Sequence, residues 1–130
     1  NSFQLVLIDR SDIAPGDFDF EFNYDQIQWE TGQASGGDAN GLGGSSARAG
    51  FSNGSGLPGT AFELQGSAIN GAFLDGGPNA LISNSLNSNV DGRYVFRVRN
   101  GRVVVPEPGS LALLGLGLAG LGLARRRKSS

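Results

Sequence analysis

The sequence predicts a mainly β protein, an antiparallel sheet or sandwich-like domain followed by one short C-terminal transmembrane helix. Between Asp17 and Tyr24 acidic or amide residues alternate strictly with aromatic ones, the period of a strand with one covered face. The 22 glycines, several in Asn-Gly or Asp-Gly pairs such as Asn53-Gly54, Asp91-Gly92 and Asn100-Gly101, supply the turns that join short strands. No stretch before Pro106 sustains a 3.6-residue apolar period, whereas residues 111–124 are all Leu, Ala or Gly.

Taken in order, "NSFQLVLIDR" is a run of β-prone residues with Phe3, Leu5 and Leu7 on one face and Val6 and Ile8 on the other. That pattern predicts a central strand buried on both sides. In "DFDFEFNYDQIQW", Phe18, Phe20, Phe22 and Tyr24 form an inner aromatic face, leaving Asp17, Asp19 and Glu21 on an outer acidic one. Ile27 and Trp29 have the opposite parity, so keeping them inside requires a bulge or a break near Asp25 and Gln26.

Residues 31–46 are mostly Gly, Ser, Ala and Asn and read as a flexible loop, too poor in apolar side chains to hold a core. Beyond it, "ARAGFSNG" and "TAFELQGS" each predict a short strand, and the stretch to Asn89 is irregular, with Phe73, Leu81 and Leu86 among its apolar anchors. The last strong strand is "RYVFRVRN". Tyr94, Phe96 and Val98 point inward there, while Arg93, Arg97 and Arg99 point outward toward pairing with the acidic face across the sheet; anionic polysaccharide is the other partner open to them.

Composition excludes whole classes of chemistry. With no Cys there is no disulfide framework, thiol redox centre or cysteine-held zinc, and with no His the commonest general base is gone. Before Pro106 six Arg and no Lys stand against eleven Asp and Glu, so the body is acidic and offers no face for nucleic acid. No cofactor is expected. Asp17, Asp19 and Glu21, joined by Asp38, are weak candidates for a calcium site, because no calcium-loop spacing accompanies them and a solvated face is the plainer reading. Trp29, the lone tryptophan, is read first as core and second as a platform for a sugar ring. A non-enzyme is expected, since no serine has a His or exported Lys to activate it. The alternative is a tail-anchored envelope enzyme acting on polysaccharide through two carboxylates.

The tail obeys different rules. A helix over 111–124 reaches about 21 Å against a hydrocarbon core of about 30 Å, short for a permanent anchor. Arg125, Arg126, Arg127 and Lys128 follow it directly, which places Ser130 in the cytoplasm and the body outside. Pro106 and Pro108 around Glu107 keep the approach to the membrane extended. Pro-Glu-Pro, a short leucine-rich span and a terminal arginine cluster together resemble the PEP-CTERM sorting signal of Gram-negative bacteria that make exopolysaccharide. The resemblance implies recognition and processing by an exosortase-type membrane protease, with transient insertion in the inner membrane and delivery to the cell surface or extracellular matrix.

A second resemblance runs through the body. "FQLVLI", "FEFNYDQIQWETG", "ARAGFSNG", "FELQGS" and "VDGRYVFRV", in that order, are similar to the nidogen-like (NIDO) domain family of matrix and cell-surface proteins. This implies residues 1–104 as a nidogen-like β domain and 105–130 as the sorting signal. It also implies adhesion or biofilm-associated binding of exopolysaccharide or other surface proteins. No export signal precedes Asn1, so an N-terminal part, with further strands of the domain, is expected to be missing.

Overall fold

The computed structural model describes residues 1–104. Six strands are present: β1 (Ser2–Asp9), β2 (Phe18–Gln26), β3 (Gly50–Ser52), β4 (Ala61–Glu63), β5 (Arg93–Arg99) and β6 (Arg102–Val104), with 3-10 turns at Gln33–Ser35 and Leu81–Ser83. One sheet has the hydrogen-bonded order β1-β2-β5-β6, and β3 and β4 form a second, two-stranded sheet. The expected mainly β architecture is present. The expected helix over 111–124 lies outside the described residues, among which no helix is long and apolar enough to cross a membrane.

The chain divides into two compact units. The first joins Asn1–Ile8 to Asp19–Val95, and the second joins Asp9–Phe18 to the described residues from Phe96 to Val104. In the first, an unbroken series of aromatic contacts organises the core. Phe62 meets Phe51 at 5.6 Å and Phe51 meets Phe20 edge-on at 5.3 Å. Phe20 meets Phe22 at 5.7 Å, Phe22 meets Tyr24 at 6.5 Å, and Tyr24 meets Tyr94 edge-on at 5.5 Å. Offset and edge-on rings are the favoured arrangement for such pairs, each adding about 0.5–1.5 kcal/mol beyond burial. The inner aromatic face expected of β2 is therefore present over Phe20, Phe22 and Tyr24, whereas Phe18 at its start is exposed; the β3–β4 hairpin covers the face through Phe51, which lies opposite Phe62 in the register.

In the second unit the Asn100-Gly101 pair closes the β5–β6 hairpin, with φ of 53° and 75°. Positive φ at both central residues is what a type I′ two-residue hairpin turn demands, and Asn and Gly adopt it most readily. Val98 pairs with Val103 and Arg99 with Arg102 on either side. Asp17 accepts from the Asn100 N–H at 2.9 Å, while the Asp17 carbonyl accepts from the Arg10 N–H at 2.9 Å. Phe96 is fully buried and Val98 nearly so, as expected of inward residues.

Two expectations are corrected. Among the described strands β1 lies at the edge of its sheet and not at its centre, and Phe3, Leu5 and Leu7 are 68%, 60% and 68% exposed. Apolar residues on both faces permit burial on both sides, but burial needs neighbours, and among the described strands β1 has one. Asp17, Asp19 and Glu21 do not form a solvated face; all three are buried. β2 has a strand on each side, and polar side chains from both reach across to it. Gln4 accepts from Asn23 at 3.2 Å, and Arg93 donates two bonds to Glu21 at 3.0 and 2.9 Å. Cross-strand pairing of Arg93 with the acidic residues is thus the role observed. The parity slip is resolved by ending the strand at Gln26, after which Ile27 is buried and Trp29 is not.

The glycine-rich segment 31–46 is held by its own backbone. Gly41 accepts from the N–H groups of both Glu30 and Thr31, and the Ser45 N–H donates to Ser35. Asp38 Oδ1 accepts from the Asn40 and Leu42 N–H groups at 2.8 and 3.1 Å. Composition predicted no core here, but backbone groups in tight turns pair without one.

Candidate functional site

Trp29 is 48% exposed and stands at the side of a groove of 650 Å³ in the first unit. Phe3, Leu5, Tyr24 and Arg48 also line it. The core reading of Trp29 is therefore overturned. The residue follows β2, where the chain has left the sheet, and its backbone is fixed from two directions. Asn1 acts as a surrogate strand: its side-chain oxygen accepts from the Gln28 N–H at 2.7 Å and the Trp29 N–H at 3.2 Å, and its amide donates to the Trp29 carbonyl at 2.8 Å. On the other side Gly41 packs so closely that a Cβ added there would come within 2.2 Å of the Trp29 Cβ. Gly41 also has φ of 72°, so a side chain at that position is excluded twice over.

The floor beside Trp29 is braced by two carboxylates that sequence reasoning did not single out. Glu30 is buried, and its oxygens accept from the Gly71 and Phe73 N–H groups at 3.0 and 2.7 Å. Asp75 Oδ1 accepts from the Ile27 N–H at 2.9 Å while its own N–H donates to the Ile27 carbonyl at 2.9 Å. Neither had a sequence signal, because each bonds to backbone more than forty residues away.

The groove's electrostatics are muted. Arg48 donates Nε and Nη2 to the two oxygens of Glu63, both at 2.9 Å, a planar two-pronged pair. That guanidinium holds the Glu63 carboxyl below the usual carboxylate range and is itself held charged. Burial pushes the Tyr24 phenol up to about 12, so it stays protonated at neutral pH. Burial also raises Tyr94, whose hydroxyl donates to the Leu81 carbonyl at 2.9 Å. The site presents an aromatic wall, apolar side chains from β1 and a charge-neutral ion pair.

The weak calcium candidates are engaged elsewhere. Glu21 holds Arg93, Asp17 holds the Asn100 N–H and Asp38 closes its own loop. Among the described residues no group of three Asp, Glu, His or Cys is placed to hold a metal ion.

Comparison with known proteins decides the family. The nidogen-like domain matches residues 1–100. This chain belongs to the nidogen-like domain family. Mouse and human alpha-tectorin are each 41% identical over 112 residues, covering 84% of this chain and 4% of theirs, and chicken alpha-tectorin is 38% identical over 118 residues, covering 88% and 5%. The chain thus spans a small fraction of these relatives' length. No solved structure gives a significant match. The PEP-CTERM protein-sorting motif matches residues 104–128, immediately after the nidogen-like domain. Its triplet Pro106, Glu107 and Pro108 and its basic cluster from Arg125 to Lys128 lie outside the described residues.

Proposed function

We propose that this nidogen-like domain is a binding module that works outside the cell, delivered by an exosortase-type protease that removes its tail. The observation that carries the proposal is the order of the two matches: a domain of the kind found in alpha-tectorins, then a sorting motif at once. The motif supports export and recognition by an exosortase; adhesion within an exopolysaccharide matrix is our extension of that. The domain acts by binding, not catalysis. The groove's ionisable groups support this, since Tyr24 is a phenol at neutral pH, Glu30 is committed to backbone donors and Arg48 to Glu63.

The ligand we assign to the groove is a neutral glycan of the surrounding matrix. An exposed, rigidly held indole beside a charge-neutral rim suits the apolar face of a sugar ring, and the acidic body disfavours a polyanion. Export is tested by the mass of the protein recovered outside cells with and without the exosortase. Loss of the segment beginning near Pro106 only when the protease is present supports the proposal; a full-length chain retained in both strains overturns it. Ligand class is tested separately. Trp29 is the single indole, so its fluorescence reports directly on the groove, and an envelope polysaccharide that leaves its emission unchanged at saturating amounts does not bind there.

A further inference from the structure

The acidity of the body is unevenly placed. The first compact unit carries Arg48 and Arg93 against eight Asp and Glu, whereas the second, up to Val104, holds Arg10, Arg97, Arg99 and Arg102 against three Asp. Three of those arginines share one face of the β5–β6 hairpin. Arg97 and Arg99 are two apart on β5, and the register sets Arg99 directly opposite Arg102. Like charges opposed across a ladder are destabilising, and little in the unit offsets these. Asp12 is already paired with Arg10 at 3.1 Å. Arg99 Nη1 donates to the Phe18 and Val98 carbonyls at 3.2 and 3.0 Å, contacts that fix the guanidinium without neutralising it. Arg97 and Arg102 are exposed, and among the described residues neither has an ion-pair partner.

We infer that this face is a second membrane contact, in which Arg97, Arg99 and Arg102 bind the headgroups of anionic phospholipid while the tail is inserted. The inference deepens the proposed route of delivery and rests on that insertion. The choice of occupant follows from charge and from where the chain goes next. β6 ends at Val104, and residues 105–110 alone separate it from the apolar span 111–124. Six residues reach at most about 20 Å, so a bilayer that holds the span keeps the hairpin beside its surface. Tethering of this kind raises the effective concentration of headgroups at the arginines. The cations also suit the ligand: all are Arg, whose planar fork matches a phosphate with two parallel hydrogen bonds.

The strength of the contact follows from the count of charges. One arginine near an anionic bilayer raises partitioning about fivefold, so three give on the order of a hundredfold, too little to retain a protein that has lost its apolar tail. The contact therefore works on the uncleaved chain and lets go once the tail is removed. While it lasts, β6 is held at the bilayer and the Pro-Glu-Pro triplet, which begins two residues past Val104, is presented to a protease embedded there. No residue lining the groove takes part.

The test is arginine footprinting of the full chain with phenylglyoxal, read by mass spectrometry, in vesicles of phosphatidylcholine alone and of phosphatidylcholine with phosphatidylglycerol. Arg97 and Arg102 should react about fivefold more slowly in the anionic vesicles, and the protection should vanish in 1 M salt, where the screening length is about 3 Å. Arg48, exposed and paired with Glu63 in the first unit, should react equally in both. Offered both kinds of vesicle at once, a chain carrying Arg97→Gln and Arg102→Gln should lose about 25-fold of its preference for the anionic kind, with Trp29 emission reporting that the fold is intact. Any contribution of Arg125 to Lys128 is the same in both chains. Equal reaction of Arg97 and Arg102 in the two vesicles, protection shared by Arg48, or an unchanged preference each overturn the inference. Protection by a soluble anionic polysaccharide but not by anionic vesicles also overturns it, assigning the face to a matrix polyanion. Flotation with neutral vesicles reports tail insertion separately, and a chain that stays out of both kinds overturns the delivery reading as well.

Discussion

β1 and β2 are hydrogen-bonded neighbours with opposite fates. β2 carries Asp19 and Glu21 and buries both; β1 carries Phe3, Leu5 and Leu7 and exposes all three. The difference is not one of composition, because the apolar strand is the one in water. A strand with a neighbour on each side can shelter charges beneath side chains laid across from both. An edge strand cannot cover even its hydrophobic residues. Position in the strand order therefore outranks hydrophobicity in setting burial here, and the order is what substitutions can probe.

The largest effect should come from the covered strand. Phe20 touches both Phe22 and Phe51, linking the sheet to the β3–β4 hairpin. Phe20→Ala removes a buried ring from the middle of the aromatic series and should cost about 3–4 kcal/mol in urea unfolding. A cost near that of an exposed substitution would mean that the hairpin does not pack on β2.

Next comes the pair that lets β2 carry charge. Glu21→Ala leaves Arg93 without its carboxylate, and the destabilisation should be smaller than for Phe20→Ala but well above that of any β1 substitution. The pH dependence sharpens this. Hydrogen bonding to Arg93 is the main reason the Glu21 carboxyl is held below its ordinary value of 4.5. Its contribution to stability is then complete above about pH 4.5 and is lost as pH falls through the lowered value. Glu21→Gln should flatten the acid limb of a plot of melting temperature against pH, whereas Phe3 or Leu7 substitutions should leave its shape alone.

What could be read from the chain follows the same division. The aromatic face of β2, the inward set Tyr94, Phe96 and Val98, and the Asn100-Gly101 turn were legible because each depends on residues adjacent in sequence, through period 2 or local φ preference. The burial of Asp17, Asp19 and Glu21 and the exposure of β1 were not, because each depends on which strand lies alongside. Trp29 illustrates the limit within one residue. Its parity, read with that of Ile27, predicts a bulge or break that keeps both inside; the strand does end there and Ile27 is buried, but only the Asn1 and Gly41 contacts reveal that Trp29 stands beside a groove. The sorting tail was the most legible part, since its meaning lies in linear order.

At alkaline pH the expected effect is smaller and has the opposite sign of slope. Tyr24 titrates near 10.0 when unfolded and about 12 when folded, because burial penalises the phenolate. Between those values the unfolded chain releases its proton while the folded one keeps it, so stability declines as pH rises. Tyr24→Phe should remove its share of that decline at little cost at pH 7, where the hydroxyl is neutral in both states.

The smallest effect on stability is expected where the sequence looks most hydrophobic. Phe3 reaches Tyr24 at a ring separation of 6.2 Å but leaves most of its own surface in water. Phe3→Ser should change unfolding free energy by no more than about 0.5 kcal/mol, as for an exposed position, while altering the groove it lines. A loss of several kcal/mol would mean that β1 is covered in the isolated chain. That outcome would remove the contrast with β2, because both strands would then owe their stability to burial.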